Sequence, residues 1–457
     1  MRRLWLCIPL LACASNQPRP EPTSGSAVPS AADATNTATV PPAAPHLDDT
    51  RVEDWQGMRI VVRRRPKAEL VTTELVIRGG LTTADPATAG LERLALSTAA
   101  FGGTERSPKS EFQGKLARLG STIDARTDAD GSALEAKALR DGWGETFDLL
   151  TEAFLHPALP TSELELQRRQ QLAALAQLEE NPDLLLSDLA RRTVFEGTPY
   201  ALRTLGTKES VAALTRQDAA RQLEAMRVRN RLLLVVVGDL DPELVISRAK
   251  TVLGGLPAGP PLPLPVARPA FTAPRVNALQ RPLPTNYVLA LAPAPSWSDP
   301  DFVPALVGME ILGDREFEEI RTKRNLTYAV GAALSSRYRL PLANLYVTAV
   351  DPPTTLRAML DEVRRLQQTD IEPERLAGAI AELRTGWLME GESTSGEAQQ
   401  LVRAELLGGD WRLQRQIPDR FPQVTGGQVK SYARRWLANW QVAVVGDPAK
   451  VDVSLFR

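Results

Sequence analysis

Apolar positions in this chain follow two rhythms. Residues 59–62, 69–77, 122–127 and 132–138 are short runs rich in Val, Ile, Thr and Ala, and they predict strands. The last two flank Asp130-Gly131, a turn signal. Residues 87–100, 110–119, 144–154, 162–180, 183–194 and 216–226 carry apolar side chains at helical spacing and predict helices. The helix over 162–180 is long and amphipathic, with Leu164, Leu172, Leu175 and Leu178. Leu232-Leu233-Leu234-Val235-Val236-Val237 has no polar member and predicts a buried strand ending at Gly238-Asp239. Arg63-Arg64-Arg65-Pro66-Lys67 joins the first two strands. It reads as a solvated hairpin turn rather than a contact for anionic lipid.

Residues 255–274 hold seven prolines and few polar side chains, the composition of a stiff linker. Beyond it the pattern restarts, with an opening strand at Tyr287-Val288-Leu289-Ala290-Leu291. Asp85-Pro86 and Asp299-Pro300 each precede a helix, Pro160 and Pro373 each precede a long one, and Gly238-Asp239 and Gly446-Asp447 each close a buried strand. These pairs are separated by 214, 213 and 208 residues. Landmarks recurring in order at nearly constant offset predict a duplicated α/β domain. Strands and helices interleave in each half, so each is expected to be a sheet covered by helices on one side. The expected domains are 51–254 and 275–457, joined by the linker 255–274.

The N-terminus reads as targeting sequence. Arg2-Arg3 precedes an apolar stretch over 4–11, and Leu10-Leu11-Ala12-Cys13 resembles a bacterial lipobox. This predicts a signal peptide over 1–12 and a lipid on Cys13. Residues 13–50 then form a tether too poor in large apolar side chains to offset its ordering entropy. Ala14 after the lipidated residue favours sorting to the outer membrane, on its periplasmic side. Cys7 leaves with the signal, so the mature fold has no free thiol and no disulfide. A hydrophobic content of 43% over 457 residues suits two globular domains. The formal net charge of −1 argues against a nucleic-acid partner, which requires a basic face.

Candidate chemistry is sparse. The chain has two histidines, His46 in the tether and His156 before Pro157 at a helix end, where a cap or surface role is expected. No Gly-x-Ser-x-Gly elbow and no Gly-rich phosphate loop occurs. Asp124, Asp128 and Asp130 could assemble unrelated acid chemistry, but alternation along the hairpin places them in solvent.

The helix opening Gly90-Leu91, the phrase Gly206-Thr207-Lys208-Glu209-Ser210, Leu214-Thr215 and the strand closing in Val-Val-Gly-Asp together resemble the insulinase/pitrilysin metallopeptidases, which include the mitochondrial processing peptidases. The resemblance covers about residues 54–455. It implies two homologous domains, each a mostly antiparallel sheet covered by helices, that form half of a clam-like chamber closing over an extended peptide. It also implies His-x-x-Glu-His on the helix after Gly90-Leu91, with two zinc-binding histidines and a general base. Here those positions are Arg93, Leu96 and Ser97. A guanidinium repels the metal, an alkyl side chain takes no proton, and a serine hydroxyl is a poor zinc ligand. The distal carboxylate expected on the helix after Pro160 is also missing, because that region reads Gln171-Leu172-Ala173-Ala174-Leu175-Ala176. No metal, no cofactor and no catalytic residue is therefore expected.

One family feature is present. Within Ile320-Arg321-Thr322-Lys323-Arg324-Asn325-Leu326-Thr327-Tyr328, Arg321 and Tyr328 match an Arg/Tyr pair that holds the substrate backbone in active members. A guanidinium and a phenol can both donate to a peptide carbonyl. The preceding Leu312-Gly313-Asp314-Arg315-Glu316-Phe317 is shorter than the family's Gly/Ser-rich loop. The reading that results is a zinc-free subunit of a two-chain metallopeptidase, not a peptidase by itself. It closes the peptide chamber beside a zinc-bearing partner. The alternative is a stand-alone peptide-binding or scaffolding lipoprotein of the cell envelope.

Overall fold

The structure is a computed structural model that describes residues 49–260, 269, 271–335 and 339–456. The expected signal peptide, Cys13, His46 and the centre of the Pro-rich linker lie outside the described residues.

Six strands form the first sheet: β1 (Thr50–Trp55), β2 (Met58–Arg64), β3 (Leu70–Arg78), β4 (Thr122–Thr127), β5 (Gly131–Leu139) and β6 (Leu232–Gly238). Their order is β1-β2-β6-β3-β5-β4. The second sheet holds β7 (Arg275–Gln280), β8 (Asn286–Pro293), β9 (Val330–Ser335), β10 (Leu342–Ala349) and β11 (Gln441–Gly446), in the order β7-β11-β8-β10-β9. With β1 set aside, the two orders are the same strand for strand. Each sheet has one parallel pair, β2 with β6 and β7 with β11, and is antiparallel elsewhere. The duplication read from the spacing of landmarks is therefore a duplication of topology.

The basic run that begins in the last residues of β2 is not a hairpin turn. The wholly apolar β6 requires cover on both faces and both edges, and it inserts between β2 and β3. Arg63, which opens that run, has no exposed surface.

Fourteen α-helices accompany the sheets among the described residues. The first half carries α1 (Leu91–Phe101), α2 (Lys109–Leu119), α3 (Trp143–Leu155), α4 (Thr161–Glu180), α5 (Pro182–Val194), α6 (Lys208–Ala213), α7 (Arg216–Met226) and α8 (Pro242–Leu253). The second carries α9 (Phe302–Glu316), α10 (Pro352–Gln368), α11 (Pro373–Glu390), α12 (Thr394–Arg403), α13 (Leu413–Arg420) and α14 (Gly426–Trp436). Helix α1 starts later than its periodicity predicts. Asp85 caps a separate 3-10 turn over Pro86–Thr88, and Gly90 then takes a left-handed conformation at φ +91°.

One face of the first sheet buries Ile60, Val62, Leu75, Leu134, Leu234 and Val236 against helices of its own half, through Leu94, Phe147, Leu150, Leu223 and Ile246. The second sheet does the same, with Val288, Ala290, Val347 and Val444 against Val307, Ile311, Met359 and Tyr432. One-sided cover was the expectation, and the opposite faces depart from it. Val61, Val76, Leu233, Val235 and Val237 pack on Ala398, Leu401 and Val402 of α12, which belongs to the second half. Reciprocally, Leu291, Leu342, Ala443 and Val445 pack on Leu185, Leu186, Leu189 and Ala190 of α5, which belongs to the first. Each half lends one helix to the other half's sheet.

Polar contacts fix this exchange. Arg63 pairs with Glu397 at 2.7 Å and Arg59 with Glu405 at 3.0 Å. Thr72 meets Thr394 at 3.1 Å, and the Tyr346 hydroxyl donates to Asp183 at 2.6 Å. Separating the halves would expose two apolar faces and strand several buried polar groups.

Candidate functional site

Helix α1 is positioned by its first residues. Gln171 of α4 donates its amide to the carbonyls of Gly90 and Leu205, at 3.0 and 2.8 Å. A Cβ on Gly90 would lie 2.7 Å from both the Gln171 nitrogen and the Leu205 oxygen, so only glycine fits this junction. Gln171 appeared in the sequence only as a missing carboxylate. In the fold it is the tie that seats α4 on the start of α1.

From that start, Leu94, Ala95, Leu96 and Ala99 point into the first core with no exposed surface. Arg93 and Ser97, four residues apart and so on one flank of the helix, are half-buried. Glu92 lies on another side, where Ser132 and Gln222 donate to its two oxygens. Burial raises the Glu92 pKa against the opposing pull of Ser132 and Arg231.

This set does not fit zinc. A guanidinium, a core leucine and a serine hydroxyl provide neither the ligands nor the base, and the amide of Gln171 is spent on backbone carbonyls. Among the described residues, no three His, Cys, Asp or Glu side chains are grouped to hold a metal ion. His156 is the C-cap of α3 and lies 3.9 Å from Glu105 near the surface.

The hairpin acids do not all face solvent. Asp130 is 2% exposed, because it accepts from the Tyr200 hydroxyl and, at 2.9 Å, from the backbone nitrogen of Arg339 in the second half. Asp128 is exposed and pairs with Arg126 at 2.9 Å. Asp124 is exposed and stands directly opposite Glu135.

Arg321 and Tyr328 lie on one continuous segment at the edge of the second sheet. Helix α9 runs without a break into a π-helical turn, Phe317–Lys323, which carries Arg321. Such turns are uncommon and widen the helix locally. The Arg321 guanidinium stacks over the Phe317 ring at 4.8 Å. The chain then reverses, with the Leu326 nitrogen donating to the Ile320 carbonyl at 2.9 Å. Thr327 is buried and clamps the next step: its hydroxyl donates to the Thr348 carbonyl, and the Ala329 nitrogen donates back to it at 3.2 Å.

Between these fixed neighbours Tyr328 is 84% exposed, two residues before the edge strand β9. Arg321 and Tyr328 are thus brought to one end of the sheet by rigid elements, and they are not hydrogen-bonded to each other. The π-turn is preceded by Arg315 and Glu316, both fully buried, and neither carboxyl oxygen of Glu316 has a partner. Burial first, and then the Glu362 charge, hold the Glu316 carboxyl well above its ordinary pKa.

Two family patterns match the chain. The one described as insulinase (peptidase family M16) matches residues 59–208, and the one described as peptidase M16 inactive domain matches residues 213–383. The mitochondrial-processing peptidase subunit beta of Lentinula edodes is 22% identical over 402 residues, covering 83% of this chain and 86% of that protein. The human mitochondrial cytochrome b-c1 complex subunit 1 is 27% identical over 251 residues, covering 54% of this chain and 49% of its own length. A crystal structure of a peptidase M16 inactive domain from Pseudomonas fluorescens superposes with a TM-score of 0.79 at 19% identity. It covers 88% of this chain and all of that one. With duplicated sheets, a motif helix at Gly90-Leu91 and both family patterns in sequence, the chain belongs to the insulinase (M16) peptidase family, as a member that lacks the zinc-binding motif.

Proposed function

We propose that this chain is the zinc-free subunit of a two-chain metallopeptidase, tethered to the cell envelope through a lipid on Cys13. In this reading a family partner brings the zinc helix. This chain closes the peptide chamber and supplies Arg321 and Tyr328 to the substrate backbone. The carrying observation is a contrast between two helical segments. At α1 the position of the general base is a leucine sealed in the core. At the π-turn half-buried Arg321 stacks on Phe317, and Tyr328 stands exposed beside the buried, clamped Thr327.

Arg321 makes no hydrogen bond or ion pair with a described residue, so its donors are available to a peptide carbonyl. Tyr328 adjoins β9, whose outer edge has no strand beside it among the described residues. An extended peptide laid along such an edge could pair with its backbone. Support for a partner comes from the relatives, two of which are named as subunits.

The reading predicts that Arg321→Ala lowers kcat of the reconstituted pair by roughly 100- to 1000-fold, the range for losing one donor to a developing charge. Stability of the isolated chain should fall by no more than about 1 kcal/mol, because half-buried Arg321 loses only its stacking contact with Phe317. Steady-state kinetics with a fluorogenic peptide and a urea titration of the variant check both halves. Unaltered kinetics would remove the donated pair from the mechanism.

A further inference from the structure

Glu74 lies in the middle of β3 with no exposed surface, on the sheet face that meets α12. Register places it directly opposite Glu135 of β5, and Glu135 directly opposite Asp124 of β4. Three carboxyls therefore stand in one row across three strands, an arrangement that is repulsive when all are charged. Asp124, at the end of the row, reaches solvent, whereas Glu135 is nearly buried and Glu74 wholly so.

The contacts around the row are specific. Arg126 donates to one oxygen of Glu74 at 3.3 Å, and that oxygen's twin has no other donor. Register sets the Glu135 carboxyl beside that of Glu74 on the same face of the sheet. Two carboxylates cannot bond to each other, but a carboxylic acid can donate to a carboxylate. Burial first, then the Glu135 charge, push the Glu74 carboxyl up to about 8 against the pull of Arg126. Glu135 is held low despite its burial, by the bonds from Lys137 and Glu74.

Asp128 is paired with Arg126, and Lys137 with Glu135 at 2.6 Å. On its other side Glu74 has Val235 of β6 opposite. From α12 come Ala398, Leu401 and Val402 and the neutral Gln399, which donates to Glu135 at 3.5 Å. The charged residues of α12 are turned elsewhere, Glu397 to Arg63 and Arg403 to Glu390. Among the described residues, no cation of the second half is paired with Glu74 or Glu135.

We infer that the Glu74–Glu135 pair is a proton-operated latch between the two halves. With one proton shared, the row is compatible with the apolar cover of α12. Without it, two adjacent anions lie under that helix and the contact loosens. The sign follows from linkage. A carboxyl that binds its proton more tightly in the closed state stabilises that state fully below its free value near 4.5. That contribution is lost as pH rises from there through about 8, and is level above.

The test is hydrogen exchange with mass-spectrometric readout on the full chain between pH 5.5 and 9, corrected for the intrinsic exchange rate. Peptides over Thr394–Arg403 should show an opening constant that rises by about tenfold per pH unit up to about pH 8 and then levels. Peptides over α1 serve as the control and should not follow. Glu74→Gln keeps a donor to Glu135 but cannot titrate, so its α12 opening should be flat across the range. Glu135→Gln removes the like charge and should move the break to lower pH, which provides a second reading if the first variant folds poorly. An α12 opening constant with the same pH slope in wild type and Glu74→Gln would overturn the latch, as would a flat wild-type profile.

Discussion

Arg63→Met is expected to lower the unfolding free energy of the chain by about 3–5 kcal/mol, the cost of leaving a buried charge without its partner. Neither side chain of the Arg63–Glu397 pair has more than 4% of its surface exposed, and the pair joins β2 to α12 at 2.7 Å. Arg63 also donates to Thr50, and it lies 6.0 Å from the ring centre of Trp411 in the apolar cluster between the halves. Removing the guanidinium strands Glu397, whose other cation, Arg65, is 3.5 Å away.

Buried ion pairs are costly to assemble, so the effect belongs to the stranded partner more than to the pair. The double variant Arg63→Met/Glu397→Leu should therefore recover much of the loss. Urea unfolding of the wild type, both single variants and the double variant gives the cycle. Additive losses would show that the pair does not couple the halves.

Leu96→Glu is expected to cost a comparable amount, about 3–5 kcal/mol, because it places a carboxyl in the first core without a partner. Leu96 has no exposed surface and packs with Leu94, Ala99, Phe147 and Leu223. Arg93→His and Ser97→His sit on the half-buried flank of the same helix and should each change stability by only about 0.5 kcal/mol. The three motif positions are thus unequal. The metal-ligand positions could be refilled at little cost, whereas the base position has been absorbed into the core. Thermal or chemical unfolding of the three single variants checks this ranking. A Leu96→Glu variant as stable as the wild type would mean that the position can open to solvent and is not sealed in the core.

Much of the fold was legible because punctuation recurs. Asp-Pro before a helix and Gly-Asp after a buried strand mark equivalent places in both halves, and β4 and α7 lie at the predicted bounds. The exchange of α5 and α12 was not legible. Hydrophobic periodicity shows that Ala398, Leu401 and Val402 must be buried, but not which sheet buries them. Polar residues misled for a related reason. Arg63 and Asp130 have the local context of surface charges, yet their partners Glu397 and Arg339 lie 334 and 209 residues away. A distance of that kind leaves no trace in local spacing. At the candidate site, residue identity alone removed zinc chemistry, since Arg93, Leu96 and Ser97 cannot perform it in any arrangement. That Leu96 is sealed in while Tyr328 stands clear of its neighbours needed the packing.

In the proposed function this chain works beside a zinc-bearing relative. The most direct measurement is native isolation of the full-length protein from detergent-solubilised envelope, with the bound chains identified by mass spectrometry and their stoichiometry determined. The expected result is one stoichiometric partner carrying His-x-x-Glu-His, and peptide cleavage that requires both chains. Recovery of this chain alone, with peptide binding intact, would contradict it.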